Sequence, residues 1–379
     1  MPLNVGSSMK FIRNLKAMMS RSSEDETDQI IAPSETFVVA AEGVVLNGDG
    51  CSSLHAKIFE FQCADGSVGA AATDVGMGKV PNEDAVVIVP RSSFVSVIDG
   101  VGGYWGGQHA ASFFGEGMRR FPDDCDQAIH YAQSQLKAMK FEESLKLYGS
   151  SACFISARIF VEEGKRWLRI AQTGDCRLMV FRANGDLIES EDESYVNDLV
   201  SKELISPDQS TYHELRNRIT NSLRLAFKNN VSLNPKLILN GVRRSLDTPL
   251  ELFPGDRICM VSDGIADNLT AREVRDLIRE KTPKESIEVI SEVTGRRMAF
   301  GSRIIDDLVR SFLMNQENIA EDKTLDAAML KIRDHSSQYH WLYNAIFHRA
   351  RHSLGRFPDG FVSKPSQDNR AMAVFDIPS

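Results

Sequence analysis

Several things are missing from this 379-residue chain, and each absence excludes something. It has no basic excess: 44 Lys and Arg against 52 Asp and Glu leave a formal net charge of −8. A nucleic-acid groove normally shows as the opposite imbalance. No stretch approaches the ~18 consecutive apolar residues of a membrane-crossing helix, so no integral membrane segment is expected. The six cysteines (Cys51, Cys63, Cys125, Cys153, Cys176 and Cys259) form no CxxC pair and no regular spacing. That removes a zinc cluster and a disulfide framework, and leaves reduced thiols as the default. Internal repeats are absent as well, which excludes a solenoid.

What remains is ordinary globular usage, 42% hydrophobic and 25% charged. Residues 1–22 stand apart, carrying Lys10, Arg13, Lys16 and Arg21 with no acidic residue. Phe11, Ile12, Leu15, Met18 and Met19 follow the apolar spacing of one helix side. A basic, serine-bearing, acid-poor start matches a mitochondrial or plastid transit peptide. It reads equally as a disordered basic tail of a cytoplasmic protein. The acidic SEDETD run reads as a solvated linker, so residues 1–34 are set outside the fold, with mitochondrial localisation as the expectation.

From Thr36 the pattern changes. TFVVAAEGVVL, KIFEFQ, VGAAATD, DAVVIVP and SFVSVID are short β-branched or apolar runs broken by Gly, Asn, Asp and Pro, a strand-rich opening. Residues 107–120 and 124–147 read as helices, followed by strands in SACFISARIFVEE, RWLRIAQTGD and CRLMVFRANGDLI, the last turning at Asn-Gly. Residues 191–235 read as an irregular, lid-like region. LELFPGDRICMVSDG is a further strand entered through a Pro-Gly turn, with helices expected near 270–280, 284–295 and 301–315. KTLDAAMLKI is expected to close the fold as a strand, giving an α+β domain over 35–335. A helix at 340–357 and an irregular tail complete 336–379.

Acidic residues recur at the strand ends. VPNEDAVVIV starts at Glu83 and Asp84, FVSVIDG ends at Asp99, IAQTGDC at Asp175 and ICMVSDG at Asp263, while Glu321 and Asp322 open the expected last strand. Any one of these has a plain explanation in turn and cap preference. A sheet that gathers them creates a cluster of like charges, each raising the others' pKa. Hard divalent cations with oxygen ligands are the natural neutraliser. The glycine after Asp99 would let a backbone carbonyl approach the same ions.

Rival readings fail on spacing. A G-x-G-x-x-G loop laid on Gly100 and Gly102 meets Trp105 where the third glycine belongs. Ser151 lies in no G-x-S-x-G elbow. Cys176 reads as a buried inert thiol beside Asp175, or as a redox-sensitive one.

The ordered set NEDA (82–85), DGVGG (99–103), GSSA (149–152), TGDCR (173–177), SDGIADNL (262–269) and EDKT (321–324) resembles the metal-dependent Ser/Thr protein phosphatases of type 2C, most of all their mitochondrial-type and plant branch. That resemblance implies a four-layer αββα sandwich of two antiparallel sheets flanked by helices. It implies two Mg²⁺ or Mn²⁺ ions, held by Asp84, the bridging Asp99, the Gly100 carbonyl, Asp263 and the acid at Glu321, with Asp322 the ligand if the register slips by one. Asp175 with Asp263 would hold a weaker third ion. Asp84, Asp99 and Asp263 would then be the catalytic carboxylates, and water activated between the two ions would attack the phosphorus of a phosphoprotein. A monomer is expected.

Three positions depart from that family's pattern. Lys79 stands where a phosphate-binding arginine is usual, giving a point charge without a bidentate fork. Val101 replaces a histidine that is a candidate general acid, leaving water or His109 as proton donor. Glu321 stands where an aspartate is usual. These departures define the alternative, a catalytically weak pseudophosphatase acting as a binding module.

Overall fold

The computed structural model describes residues 36–46, 57–76, 81–101, 106–206, 210, 215–233, 235–243, 249–298 and 368–378. Strands β1 (Thr36–Val38), β2 (Val44–Leu46), β3 (Lys57–Gln62), β4 (Val68–Asp74), β5 (Asp84–Val89) and β6 (Phe94–Gly100) come first. Helices α1 (Gly107–Arg120), α2 (Cys125–Ala138) and α3 (Phe141–Lys146) follow. Then come β7 (Ser151–Glu162), β8 (Lys165–Thr173), β9 (Arg177–Phe181), β10 (Leu187–Ser190) and helix α4 (Tyr195–Ser201). Five short strands precede the last long pair: β11 (Leu223–Arg224), β12 (Ser232–Leu233), β13 (Leu237–Leu239), β14 (Val242–Arg243) and β15 (Leu250–Leu252). Strand β16 (Arg257–Val261), helices α5 (Asp263–Ala266), α6 (Ala271–Ile278) and α7 (283–298), and strand β17 (Arg370–Asp376) complete the described elements.

The strands form two sheets. One runs β1-β3-β4-β17-β16-β9-β10-β13-β14; the other runs β12-β8-β7-β6-β5-β2, with β11 added on β7 and β15 on β8. The pairing is antiparallel except at one edge, where β1 joins β3 in parallel.

Side-chain alternation explains why the sheets stack. Successive residues of a strand face opposite sides, and here both sides are apolar. Val86 and Ile88 of β5 and Ala371, Ala373 and Phe375 of β17 share the core between the sheets. Ala85, Val87 and Val89 face outward onto Ala110, Phe114 and Met118 of α1. Met372 and Val374 face the other way, onto Val274 and Ile278 of α6 and Ile287 and Ile290 of α7. The result is helix, sheet, sheet, helix, as expected. Each fully buried Val, Ile or Phe adds about 1.5–3 kcal/mol, so the three apolar layers hold the sandwich together.

Local signals set the breaks. Asn184-Gly185 turns β9 into β10, with Gly185 at φ +93°. Pro254-Gly255 lets the chain leave one sheet at β15 and enter the other at β16, with Gly255 at φ +85°. Thr270 and Glu273 form a reciprocal cap on α6. The single helix expected over 124–147 is two, α2 and α3, because the backbone turns extended at Met139 and Lys140.

The C-terminal expectation needs correcting. Residues 370–376, expected to belong to a tail, form a strand buried between β4 and β16. RAMAVFD is apolar on both faces because it closes the middle of a sheet, where every backbone N–H and C=O needs a partner. Ser34–Ala299 and Ser363–Ser379 together make up one compact unit, which includes this strand. The expected strand KTLDAAMLKI and the helices at 301–315 and 340–357 lie outside the described residues, as do residues 1–34. Among the described residues, no helix is long and apolar enough to cross a membrane.

Candidate metal centre

Antiparallel pairing gathers the acids. β5 begins at Asp84 where β6 ends at Asp99, and the register sets the two directly opposite. Opposed residues have Cβ atoms roughly 4.5–5.5 Å apart. Asp84 has the parity of Val86 and Ile88, and Asp99 that of Val95 and Val97, so both face the space between the sheets. β8 ends beside the same edge and leads through Gly174 to Asp175. In the other sheet, β16 ends at Val261 opposite Met372, so Asp263 emerges beside the start of β17 and the preceding Asp368. One end of the sandwich therefore collects Asp84, Asp99, Asp175, Asp263 and Asp368.

These groups are held out of bulk water. Asp99 is 9% exposed and Asp84 2%; Asp175, Asp263 and Asp368 keep partial contact with solvent. Burial pushes the Asp99 carboxyl well above the ordinary carboxylate range, and the charges of Asp263, Asp84, Asp175 and Asp368 add to the shift. Asp263 is raised in the same way, by burial first and then by Asp368, Asp175, Asp267 and Asp84. Asp175 is pushed up to about 7, by burial and then Asp192, against the opposing hydrogen bond from the Cys153 thiol. Like charges raising one another in a low-dielectric place call for a cation.

Three observations test whether these residues fit divalent ions. The donor set is entirely oxygen, the chemistry of Mg²⁺ and Mn²⁺. Asp263 Oδ1 is buried without a hydrogen-bond partner, and such an oxygen is expensive to leave unpaired. Among the described residues, no three acidic, histidine or cysteine side chains are already closed around one point. The acids lie within electrostatic reach of each other, and closing them around an ion requires their side chains to move. The set fits.

The backbone and the neighbouring side chains support this edge. The Ser262 hydroxyl donates to Asp84 Oδ2 at 2.7 Å. The Glu83 N–H donates to Asn369 Oδ1 at 2.8 Å. Gly100 N–H donates to the Glu83 carbonyl at 3.0 Å. A Cβ at Gly100 would collide with the carbonyl oxygens of Gly107 and Glu83, so the glycine lets α1 begin against the end of β6. Val101 is half-buried against the inter-sheet core. His109 is exposed on the first turn of α1, its ring edge-on to Phe113 at 6.5 Å.

The structure thus brings together Asp84, Asp99, Asp175 and Asp263. Lys79, Glu321 and Asp322 lie outside the described residues. Asp368 stands beside Asp263, just before the strand that pairs with β16, an acid that the sequence reading did not single out. The signal was present in the sequence: DNRAMAVFD has the same form as NEDAVVIV, acids followed by a strand. Asp192 and Asp267 were missed as well, and their charges reach Asp175. Asp192 is itself bound by Arg177, at 2.9 Å from Nε.

No protein-family model matches the chain. In sequence it is similar to the serine/threonine protein phosphatase PstP from two strains of Mycobacterium tuberculosis, at 25% identity over 238 residues, 60% of this chain and 42% of that protein. The chain thus spans less than half the length of the curated relatives it matches. In structure it is similar to crystalline PstP of Mycobacterium tuberculosis, with TM-score 0.53 and 18% identity, covering 82% of this chain and 98% of that one. The PstP catalytic domain in complex with two manganese ions gives TM-score 0.50 and 18% identity over 82% and 98%. Stp1 from Staphylococcus aureus gives 0.50 and 19% over 82% and 95%. The two stacked sheets with their flanking helices are the fold that these serine/threonine phosphatases carry.

Proposed function

We propose that this chain is a metal-dependent protein phosphatase that hydrolyses phosphoserine and phosphothreonine. The observation that carries the reading is the meeting of buried, mutually repelling carboxylates from two sheets, with Asp263 Oδ1 left unpaired. A chain that only bound partners would gain nothing from so costly a cluster.

Asp84, Asp99, the Gly100 carbonyl, Asp263 and Asp368 would hold two Mg²⁺ or Mn²⁺ ions, with Asp99 shared between them as the family resemblance implies. The two manganese ions of the PstP complex support that number. When bound, such ions activate water as a nucleophile and neutralise charge on a phosphoryl group. Asp175 would hold a third, weaker ion. Val101 offers no proton, so the leaving alkoxide takes its proton from solvent. Lys79 is proposed to bind phosphate as a point charge.

The matched relatives are bacterial. A mitochondrial address, and membership of the mitochondrial-type branch, therefore rest on residues 1–22 and the DGVGG motif alone. Fluorescent tagging of the full chain would test the address.

The test of function is hydrolysis of a phosphothreonine peptide by the full chain with Mn²⁺, with Mg²⁺ and with EDTA. Asp99→Asn and Asp263→Asn are run beside the wild type. Turnover should need the metal and fall by on the order of a thousandfold in each variant, several kcal/mol of transition-state stabilisation. Metal-independent turnover, or full activity in either variant, would overturn the reading.

A further inference from the structure

Ser262 precedes Asp263 and holds no charge, yet it is fully buried at the edge where the two sheets meet. Its parity on β16 matches Ile258 and Met260, so its side chain enters the inter-sheet space. There its oxygen accepts the Ala371 N–H of β17 at 2.9 Å. Its own proton goes across to the other sheet, to Asp84 Oδ2 at 2.7 Å. In this pair the hydroxyl is the donor and the carboxylate oxygen the acceptor. Asp84 Oδ2 is thereby committed, which sets how the carboxylate is turned about its Cβ–Cγ bond.

A second link runs alongside. Asn369, also fully buried, takes the Glu83 N–H on Oδ1 at 2.8 Å and donates from Nδ2 to the Val75 carbonyl at 3.3 Å. Both links join the start of β5 to the ends of β16 and β17. The acids of the centre come from both sheets, so their separation depends on how firmly these edges are tied. The apolar core between the sheets is non-directional and does not specify the rotation of any one carboxylate; a hydrogen bond does.

We propose that Ser262 is a positioning residue for the metal centre: it spans the two sheets and orients Asp84 so that carboxylates of separate sheets present one divalent-cation site. The proposal rests on the metal reading above. Groups that orient ligands typically govern metal affinity by 10–100-fold, and that affinity is the quantity to measure.

The experiment is calorimetric titration of Mn²⁺ into the metal-stripped full chain, with melting temperature recorded for each protein. Ser262→Ala should weaken Mn²⁺ binding by about tenfold or more. Ser262→Cys, a weaker donor of similar shape, should fall between it and wild type, and gives the answer if the alanine variant does not fold. Val274→Ala truncates the helix-facing core, on the other side of the sheet from the Ser262 side chain; it should lower the melting temperature and leave Mn²⁺ affinity unchanged. Affinity within twofold of wild type in folded Ser262→Ala or Ser262→Cys would overturn the role of Ser262. So would a loss in Val274→Ala equal to that in the Ser262 variants, since affinity would then follow stability alone. Wild type that takes up no Mn²⁺, like Asp99→Asn, would overturn the centre itself and this role with it.

Discussion

Arg370 and Asp368 lie two positions apart at the start of β17, and the surroundings of each treat charge in opposite ways. Arg370 faces the helices and meets Asp74 of β4 directly across the ladder. Its Nε and Nη2 bind the two Asp74 oxygens at 2.7 and 2.8 Å, and its Nη1 reaches the Ser291 carbonyl of α7 at 2.8 Å. That buried charge is fully matched by groups of the chain. Asp368 instead adds its charge to that of Asp263 and Asp99. In one place the fold supplies the counter-ion; in the other it gathers further buried acids. A buried acid is therefore informative only once its partners are known.

The largest expected effect attacks the matched side. Arg370→Ala leaves Asp74 buried without its counter-ion, so stability should fall by about 3–5 kcal/mol, read by urea unfolding. A loss under 1 kcal/mol would mean that Asp74 is rescued by its other bonds to Gly76 N–H and Ser291, and the contrast would weaken.

The next effect is a pH trend set by Asp99, Asp175 and Asp263. Asp175 holds its proton up to about 7 in the folded chain, against about 3.9 for an unstructured aspartate. Asp99 and Asp263 shift in the same direction. Stability from these protons is complete below about pH 4 and is lost as pH rises through about 7. The metal-free melting temperature should therefore decline from pH 5 to pH 7.5. Saturating Mn²⁺ should flatten or reverse the decline, because the ligands bind metal only when deprotonated. Asp263→Asn should remove part of the decline and the response to Mn²⁺ together. A flat metal-free profile would contradict the mutual repulsion.

The smallest effect is a control away from both acids. Thr270→Ala removes the side-chain half of the reciprocal cap of α6, in which the Glu273 N–H donates to Thr270 Oγ1 at 3.3 Å. It should cost about 1 kcal/mol and leave Mn²⁺ affinity and turnover as they are. A change in either would mean that the helical layer is coupled to the centre.

Much of this was legible beforehand. Apolar runs of strand length, broken by Gly, Pro and Asn, place β3 to β10 and β16 correctly, because turn chemistry is local. Asp84, Asp99, Asp175 and Asp263 were identifiable as acids that end or begin such runs. The 124–147 helix was misread because periodicity continues through Met139 and Lys140 while the backbone does not. Asp368 was not singled out because nothing local separates DNRA at 368 from other acidic turns; its place beside Asp263 is set by the pairing of β17 with β16.

The sequence by itself determined most of the long strands, β3 to β10 and β16, that their ends carry acids, and that no cysteine or serine nucleophile is set up in a known motif. Those follow from alternation, turn residues and spacing, all readable along the chain. Only the tertiary structure decided that β17 fits between β4 and β16, that Asp368 joins Asp263, that Arg370 neutralises Asp74, and that Ser262 reaches Asp84. These depend on which residues separated by 100 or more positions become neighbours. Such pairings are selected by sheet register and by the cost of leaving buried polar groups unmatched, and that cost is defined only once the chain is folded.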